Sequence, residues 1–336
     1  MTRTQLPKQL RKVADKKLLE RLEAGLDQVE KELVEAVKHT DAIAKVTTRH
    51  LIDAGGKRIR PTLLLLAAQL GDTENPDVVQ AAVVVELTHI GTLYHDDVMD
   101  NAPKRRGVDS AHEIWGNNVA ILTGDLLFAR ASQIVSKLGG KALRLQAETF
   151  ERLCLGQLHE TVGPAENEEV VDHYIKVLGD KTGSLIAASA EMGIIFSGAD
   201  QSYREPMRKY GESIGVAFQL IDDVIDIHSD GKTSGKTPGT DLKAGVPTLP
   251  VLYLRQDAKT DPKSQELIAI IDAGLEDEAT LQMVIDELRV HPATERAFQE
   301  AKRFADQAVE ALDGIPDGSV KQALINFAEA VIERQH

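Results

Sequence analysis

AAVVVELTHIGTLYHDDVMD, residues 81–100, repeats its apolar side chains every three or four positions and ends in three aspartates, Asp96, Asp97 and Asp100. That period is helical. LLERLEAGLDQVEKELVEAV (18–37) and AFQEAKRFADQAVEALDGI (297–315) share it, and no stretch sustains the alternation of a half-buried strand. The chain reads as all-α. Breaks fall at 53–61, 71–76, 101–107, 139–140, 163–167, 197–200, 230–250 and 313–318. Connections are short except DGKTSGKTPGTDLKAG (230–245), whose length marks it as a lid or ligand loop. No linker or composition shift divides the 336 residues, so one helical domain over 1–336 is expected.

Composition excludes several classes. A formal charge of −14 argues against nucleic-acid binding, and 4% aromatics leave little for base stacking. The single cysteine, Cys154, can form no internal disulfide; it reads as a small core residue in a protein of a reducing compartment. The N-terminus has no apolar leader, and TLLLLAAQL (62–70) is too short to cross a bilayer. A cytoplasmic protein with no integral membrane segment is expected.

The aspartates of 93–100, LYHDDVMD, return at 219–227 as QLIDDVIDI, giving Asp222, Asp223 and Asp226. On a helix each triplet projects to one side of one turn, and like charges at that spacing destabilise the helix by a few tenths of a kcal/mol per pair. Asn101, Ala102 and Pro103 end the first helix, so its aspartates also sit near the negative pole of the dipole. A cation must compensate. Carboxylates without a thiolate or histidine array suit Mg²⁺, or Mn²⁺, which shares its shell with substrate phosphates. A solvated acidic face is the competing reading, but two such patterns arise by chance in roughly 0.02 chains of this length.

Basic residues gather at the breaks. Lys104, Arg105 and Arg106 follow the first motif, and the planar arginine forks match phosphate oxygens. GGKRIRP (55–61) places Lys57 and Arg60 on a glycine-started turn into an apolar helix, a suitable place for phosphate capture. LGDKTGS supplies Lys181 and Thr182, and the long loop Lys236 and Lys243. Together with two acidic clusters they indicate a pocket for two phosphorylated ligands.

GGKRIRP, HIGTLYHDDVMDNAPKRRG, NNVAILTGDLLFARA, DKTGSLIAASAEMG, FQLIDDVIDI and GKTPGTDLKAGVPTLP, in this order, resemble the trans-polyprenyl diphosphate synthases, the head-to-tail prenyltransferases. The resemblance runs from about Gly55 to NFAEAVIERQ (326–335). It implies an all-helical domain of the isoprenoid synthase type around a deep central cavity, with the two motifs facing one another across its mouth. Asp96, Asp100 and Asp222 would be the main ligands of three Mg²⁺ ions holding an allylic prenyl diphosphate. Asp97, Asp223 and Asp226 would be further or water-mediated ligands. Arg105, Lys181 and Lys236 match contacts to that diphosphate; Lys57, Arg60, His89 and Arg106 match the site of the second substrate, isopentenyl diphosphate. Thr182 and Gln219 resemble polar groups facing the allylic cation.

His95 reads as a packing group beside the motif; Trp115, Asn118 and Asp125 as structural. Val246 stands where many members carry a lysine. Gly91 and Thr92, one turn before Asp96, are small where short-chain members carry aromatics, and Thr88 and Val85 behind them are not large. A medium- to long-chain product is therefore expected. The alternative is that Gly91 permits helix packing and Phe128 sets the floor, giving geranylgeranyl diphosphate. A terpene cyclase would carry Asn, Ser and Glu in its second motif, and a subunit of a heteromeric synthase would not need both aspartate motifs. The family resemblance also implies a homodimer.

Overall fold

The computed structural model describes residues 15–38, 41–228 and 238–333. They fall into two compact units, one built from residues 1–152, 184–211 and 311–327, the other from 153–183, 212–310 and 328–336. Lys236 and half of the expected lid, residues 230–237, lie outside the described residues.

The first unit is built on apolar helices in sequence order: α1 (Lys16–Ala36), α2 (Ala42–Asp53), α3 (Ile59–Ala68) and α4 (Pro76–Met99). The Asp15 side chain accepts from the Leu18 N–H and caps α1, whose buried Leu18, Leu22, Leu26, Val29 and Leu33 form one stripe. α3 is buried from Pro61 to Ala68. α4 starts at Asn75, which accepts from the Asp77 N–H, with Pro76 in its first turn. It is buried nearly all round, which is why no single apolar stripe is visible in its sequence. After it comes the one β ladder among the described residues, β1 (Lys104–Arg105) against β2 (Val108–Asp109), which carries the arginines back toward the helix. The short α5 (Ala111–Trp115) leads into α6 (Asn117–Val135).

α4 and α6 cross almost backbone to backbone. A Cβ added at Gly124 would land on the His95 ring and 3.0 Å from the Gly91 carbonyl oxygen; one at Gly91 would lie 3.0 Å from the Phe128 ring. Gly91 thus faces α6 rather than open space, and the geometry supports the packing alternative for its small size. The Phe128 ring in turn packs at a tilt against Phe150, centroids 4.5 Å apart. Phe150 lies on α7 (Gly140–Val162), whose residues up to Arg152 belong to the first unit. α9 (Ser184–Phe196), buried along almost its whole length, packs on α3 and α4.

The second unit contains α8 (Val170–Leu178), a π-helical turn (Gly179–Gly183) and the C-terminal part of α10 (Arg204–His228). It continues through α11 (Thr240–Lys243), α12 (Leu249–Asp257), α13 (Pro262–Asp272), α14 (Glu278–Val290) and α15 (Pro292–Ala311). Its core joins Ile227, Leu242, Val251, Leu254, Leu267, Val284, Ile285 and Leu288. α16 (Ser319–Ile332) closes the chain, and the Tyr210 hydroxyl donates to the Leu324 carbonyl in the first unit.

Cys154 is exposed, contrary to the expectation of a core position: the outer face of α7 carries it beside exposed Leu155 and Leu158. No helix among the described residues is long and apolar enough to cross a membrane. Because Gly91 meets Phe128 so closely, Gly91→Phe should cost about 1–3 kcal/mol by overpacking, read as a lowered Tm.

Candidate active site

In the first unit, a cationic cluster forms where the turn before α3 meets α4 and the β ladder. Arg58 adopts a left-handed backbone, φ 48°, and only about 1% of its side chain is exposed. It donates from Nε to Glu30 Oε1 (2.5 Å) and from Nη1 to Glu86 Oε1 (2.7 Å). Burial alone would lower its pKa, but Glu86 and Glu30 more than offset that and raise it. Arg106, also left-handed at φ 53°, donates to the carbonyls of Leu51 (2.8 Å) and Gly55 and lies 3.5 Å from Glu86.

Lys57 and Arg60 flank this anchor. Lys57 is exposed; Arg60 is half-buried, and its Nε is buried without a hydrogen-bond partner. Burial pushes the Arg60 guanidinium down to about 10, with Glu86 opposing and Arg106 adding to the shift. It remains charged at neutral pH. His89 lies well below its ordinary value, first by burial and then by Arg60, Arg106, Arg58 and Arg105, so it is neutral near pH 7. Arg60, His89 and Arg106 therefore stand in one electrostatic neighbourhood, with an orphaned donor among them, and Lys57 precedes Arg60 by three positions.

The first aspartate motif closes α4. Asp97 is turned inward and accepts from Arg105 Nε at 2.7 Å, while its Oδ2 is buried without a partner. Burial raises its pKa against the pull of Arg105. Asp96 is half-buried and Asp100 exposed. Arg105 thus answers one of the three negative charges at the crowded helix end. His95 packs edge-on against Phe128, with Nε2 3.0 Å from the Ile121 carbonyl oxygen and 3.4 Å from Asp125. Trp115 packs edge-on against His50.

The second unit repeats the pattern. Asp223 is buried and accepts from the Tyr174 hydroxyl (2.7 Å) and the Leu249 N–H (3.4 Å). Burial pushes it up to about 8 despite those two donors. Asp222 and Asp226 are half-buried. The Asp226 carboxylate accepts from the N–H groups of Thr240 (3.2 Å) and Asp241 (3.1 Å), at the start of α11. In each triplet the middle carboxylate is the buried one and the outer two keep more exposure, although Asp226 is also bonded to the backbone. Lys181 and Thr182 lie in the π-helical turn, a local irregularity common at functional sites, where Lys181 pairs with Glu160. Gln219 is half-buried on α10, and Val246 is exposed.

Among the described residues no three His, Cys, Asp or Glu side chains converge as a ready metal cage. The outer aspartates still offer the hard oxygen donors that Mg²⁺ prefers, and the orphaned Asp97 oxygen marks unsatisfied acceptor capacity at the first motif. Sequence reasoning missed Arg58, Glu30, Glu86 and Tyr174. Glu86 carried a signal: a lone carboxylate inside VVVELTHI must be paired if that run is buried.

The raised pKa of Asp223 has a defined sign. Its protonated form belongs to the folded state, so its stabilisation is complete below about pH 4 and is lost as pH rises toward about 8. Without divalent ions, Asp223→Asn should therefore show a flatter Tm-versus-pH curve than the wild type across that window.

A family model for polyprenyl synthetase matches residues 41–288. The chain is 41% identical over 314 residues to a nonaprenyl diphosphate synthase of Mycobacterium tuberculosis, covering 93% of this chain and 92% of the relative. A geranylgeranyl pyrophosphate synthase from Corynebacterium glutamicum, solved with calcium and isoprenyl diphosphate, superposes with a TM-score of 0.85 at 41% identity, covering 96% and 98% of the two chains. A decaprenyl diphosphate synthase from Rhodobacter capsulatus gives 0.85 at 31% identity, covering 95% and 99%. With the family model spanning most of its length and these similarities covering nearly all of it, the chain belongs to the polyprenyl synthetase family.

Proposed function

We propose that this chain condenses isopentenyl diphosphate head-to-tail with an allylic prenyl diphosphate. The observation that carries the reading is the cluster of Arg60, His89 and Arg106, with Lys57 close by in sequence, which gathers charge around an unpartnered buried donor. It supports capture of the isopentenyl diphosphate anion. Neutral His89 still has one N–H to donate. The carboxylates of Asp96, Asp100, Asp222 and Asp226 would hold Mg²⁺, with Asp97 and Asp223 setting their neighbours' positions. Bound Mg²⁺ would neutralise charge on the departing diphosphate.

Arg105, Lys181 and Lys236 would each offer a positive charge to a leaving diphosphate. Their charges let the allylic C–O bond ionise without a protein nucleophile. The isopentenyl double bond then attacks the allylic carbon, and the proton it sheds passes to the released diphosphate. Thr182 and Gln219 would turn oxygens toward the positive prenyl chain. Both substrates are small anions, so the reading needs no nucleic acid and no integral membrane segment.

A medium- to long-chain all-trans product is favoured by the small Thr92 and by the long-chain synthases among the relatives. One observation favours a second reading: the Phe128 and Phe150 rings beside Gly91 would stop the chain at geranylgeranyl length. We also propose a homodimer, for which exposed Ile121, Leu122 and Leu126 on α6 supply an apolar face.

Purified protein incubated with Mg²⁺, labelled isopentenyl diphosphate and geranyl, farnesyl or geranylgeranyl diphosphate should incorporate label only when a primer is present. Chromatography reads the length: a ladder past the geranylgeranyl product supports the first reading, a stop there the second. Asp96→Ala and Asp222→Ala should fold and lose about a hundredfold or more in turnover. Thr92→Phe should shorten the product without the packing defect of Gly91→Phe. Leu122→Glu should shift light-scattering mass toward the monomer.

A further inference from the structure

Glu86 is a carboxylate where an anion-binding site would least tolerate one. Its side chain is about 2% exposed, on a helix turn of valines and leucines, and it faces the cations expected to receive a diphosphate. A bare buried carboxylate is strongly disfavoured, and one beside an incoming anion repels it. Glu86 cannot touch the ligand productively, yet its Oε1 is engaged twice: Arg58 Nη1 donates to it at 2.7 Å and Arg106 Nη2 lies 3.5 Å from it.

The partners of Arg58 show what this achieves. Nε and Nη2 reach the two oxygens of Glu30 at 2.5 and 3.2 Å, Nη2 also donates to the Ile52 carbonyl at 3.2 Å, and Nη1 takes Glu86. No guanidinium nitrogen of Arg58 is left over for a ligand. Its backbone carbonyl accepts from both the Thr62 N–H (3.0 Å) and the Thr62 hydroxyl (2.7 Å), fixing the start of α3. Pinning Arg58 in its left-handed conformation therefore orients Lys57 on one side and Arg60 on the other. Arg106 is fixed at the same oxygen and by the Leu51 carbonyl. One carboxylate on α4 thus ties together two separate chain segments, 55–61 and 104–107, that carry the ligand-facing cations.

We propose that Glu86, backed by Glu30, is a positioning residue for the isopentenyl diphosphate site: it acts through Arg58 and Arg106 to hold Lys57, Arg60 and His89 in a geometry that fits one diphosphate. The inference rests on the assignment of those four residues to that substrate. It implies that binding of the second substrate, rather than of the allylic primer, is sensitive to a residue neither substrate touches.

The test is Glu86→Gln, which keeps shape and one acceptor oxygen but removes the charge, with Glu30→Gln as a partner variant at a more exposed position that is expected to fold. Steady-state kinetics in Mg²⁺, well below each Tm, varies each substrate separately. The KM for isopentenyl diphosphate should rise about tenfold in Glu86→Gln and less in Glu30→Gln, because an ion-paired contact has become a neutral one. The KM for the allylic primer and kcat at saturating isopentenyl diphosphate should stay close to wild type. An unchanged or lower isopentenyl KM in both variants overturns the inference, as does an equal rise in both KM values, which would mark a general structural role. If wild-type protein fails to incorporate isopentenyl diphosphate with any primer, the substrate assignment itself falls, and the inference with it.

Discussion

Helix α4 has to keep a carboxylate inside its apolar body and a crowd of carboxylates at its negative end, and most of the surrounding architecture answers that electrostatic demand. Glu86 is met by Arg58 and Arg106, and Asp97 by Arg105. None of the three arginines lies inside a helix: Arg105 sits on β1, and Arg58 and Arg106 hold left-handed backbone conformations that an ordinary side chain adopts only when its surroundings hold it there. The turns are ordered by the charges, and the charges are tolerable only because the turns are ordered. Such coupling is how a buried ionic network can specify a geometry without adding much stability.

The same logic separates the roles within each aspartate triplet. Asp97 and Asp223 look equivalent to their neighbours in sequence, but each is spent on its own unit, one on Arg105 and the other on Tyr174 and the Leu249 N–H. Burial then pulls both toward the protonated form, most strongly Asp223. The flanking aspartates stay at more open positions, although Asp226 also accepts from the Thr240 and Asp241 N–H groups. A triplet of identical residues is thus differentiated by burial and by the partner each carboxylate finds.

Helix content, the breaks and the chemical character of both motifs were legible because each rests on local periodicity, turn residues or charge spacing. α1, α3 and α15 follow their apolar patterns, and helices end at or before the expected breaks at 53–61 and 101–107, although α3 resumes at Ile59 with Pro61 inside its first turn. What the sequence concealed was set by distant partners. Gly91 could have opened a cavity or admitted a neighbouring helix, and only the position of Phe128 and Gly124 decides between them. Cys154 lies on a helix whose outer face also exposes leucines, so hydrophobic type misjudged its burial. Tyr174 gave no signal, since its bond to Asp223 spans 49 positions.

A final consequence concerns how this segment can change over evolutionary time. Between Glu86 and Asp97 a single helix addresses Arg58 and Arg106 through Glu86, α6 through Gly91 and His95, α2 through the Tyr94 hydroxyl bonded to Thr47 and Leu51, and Arg105 through Asp97. Inserting or deleting one residue would turn everything beyond it by about 100° and sever these partners together. The span is frozen in length even where its residue identities are free, so descendants of this chain can diversify here by altering side-chain bulk, while insertions must be accommodated in the connecting loops.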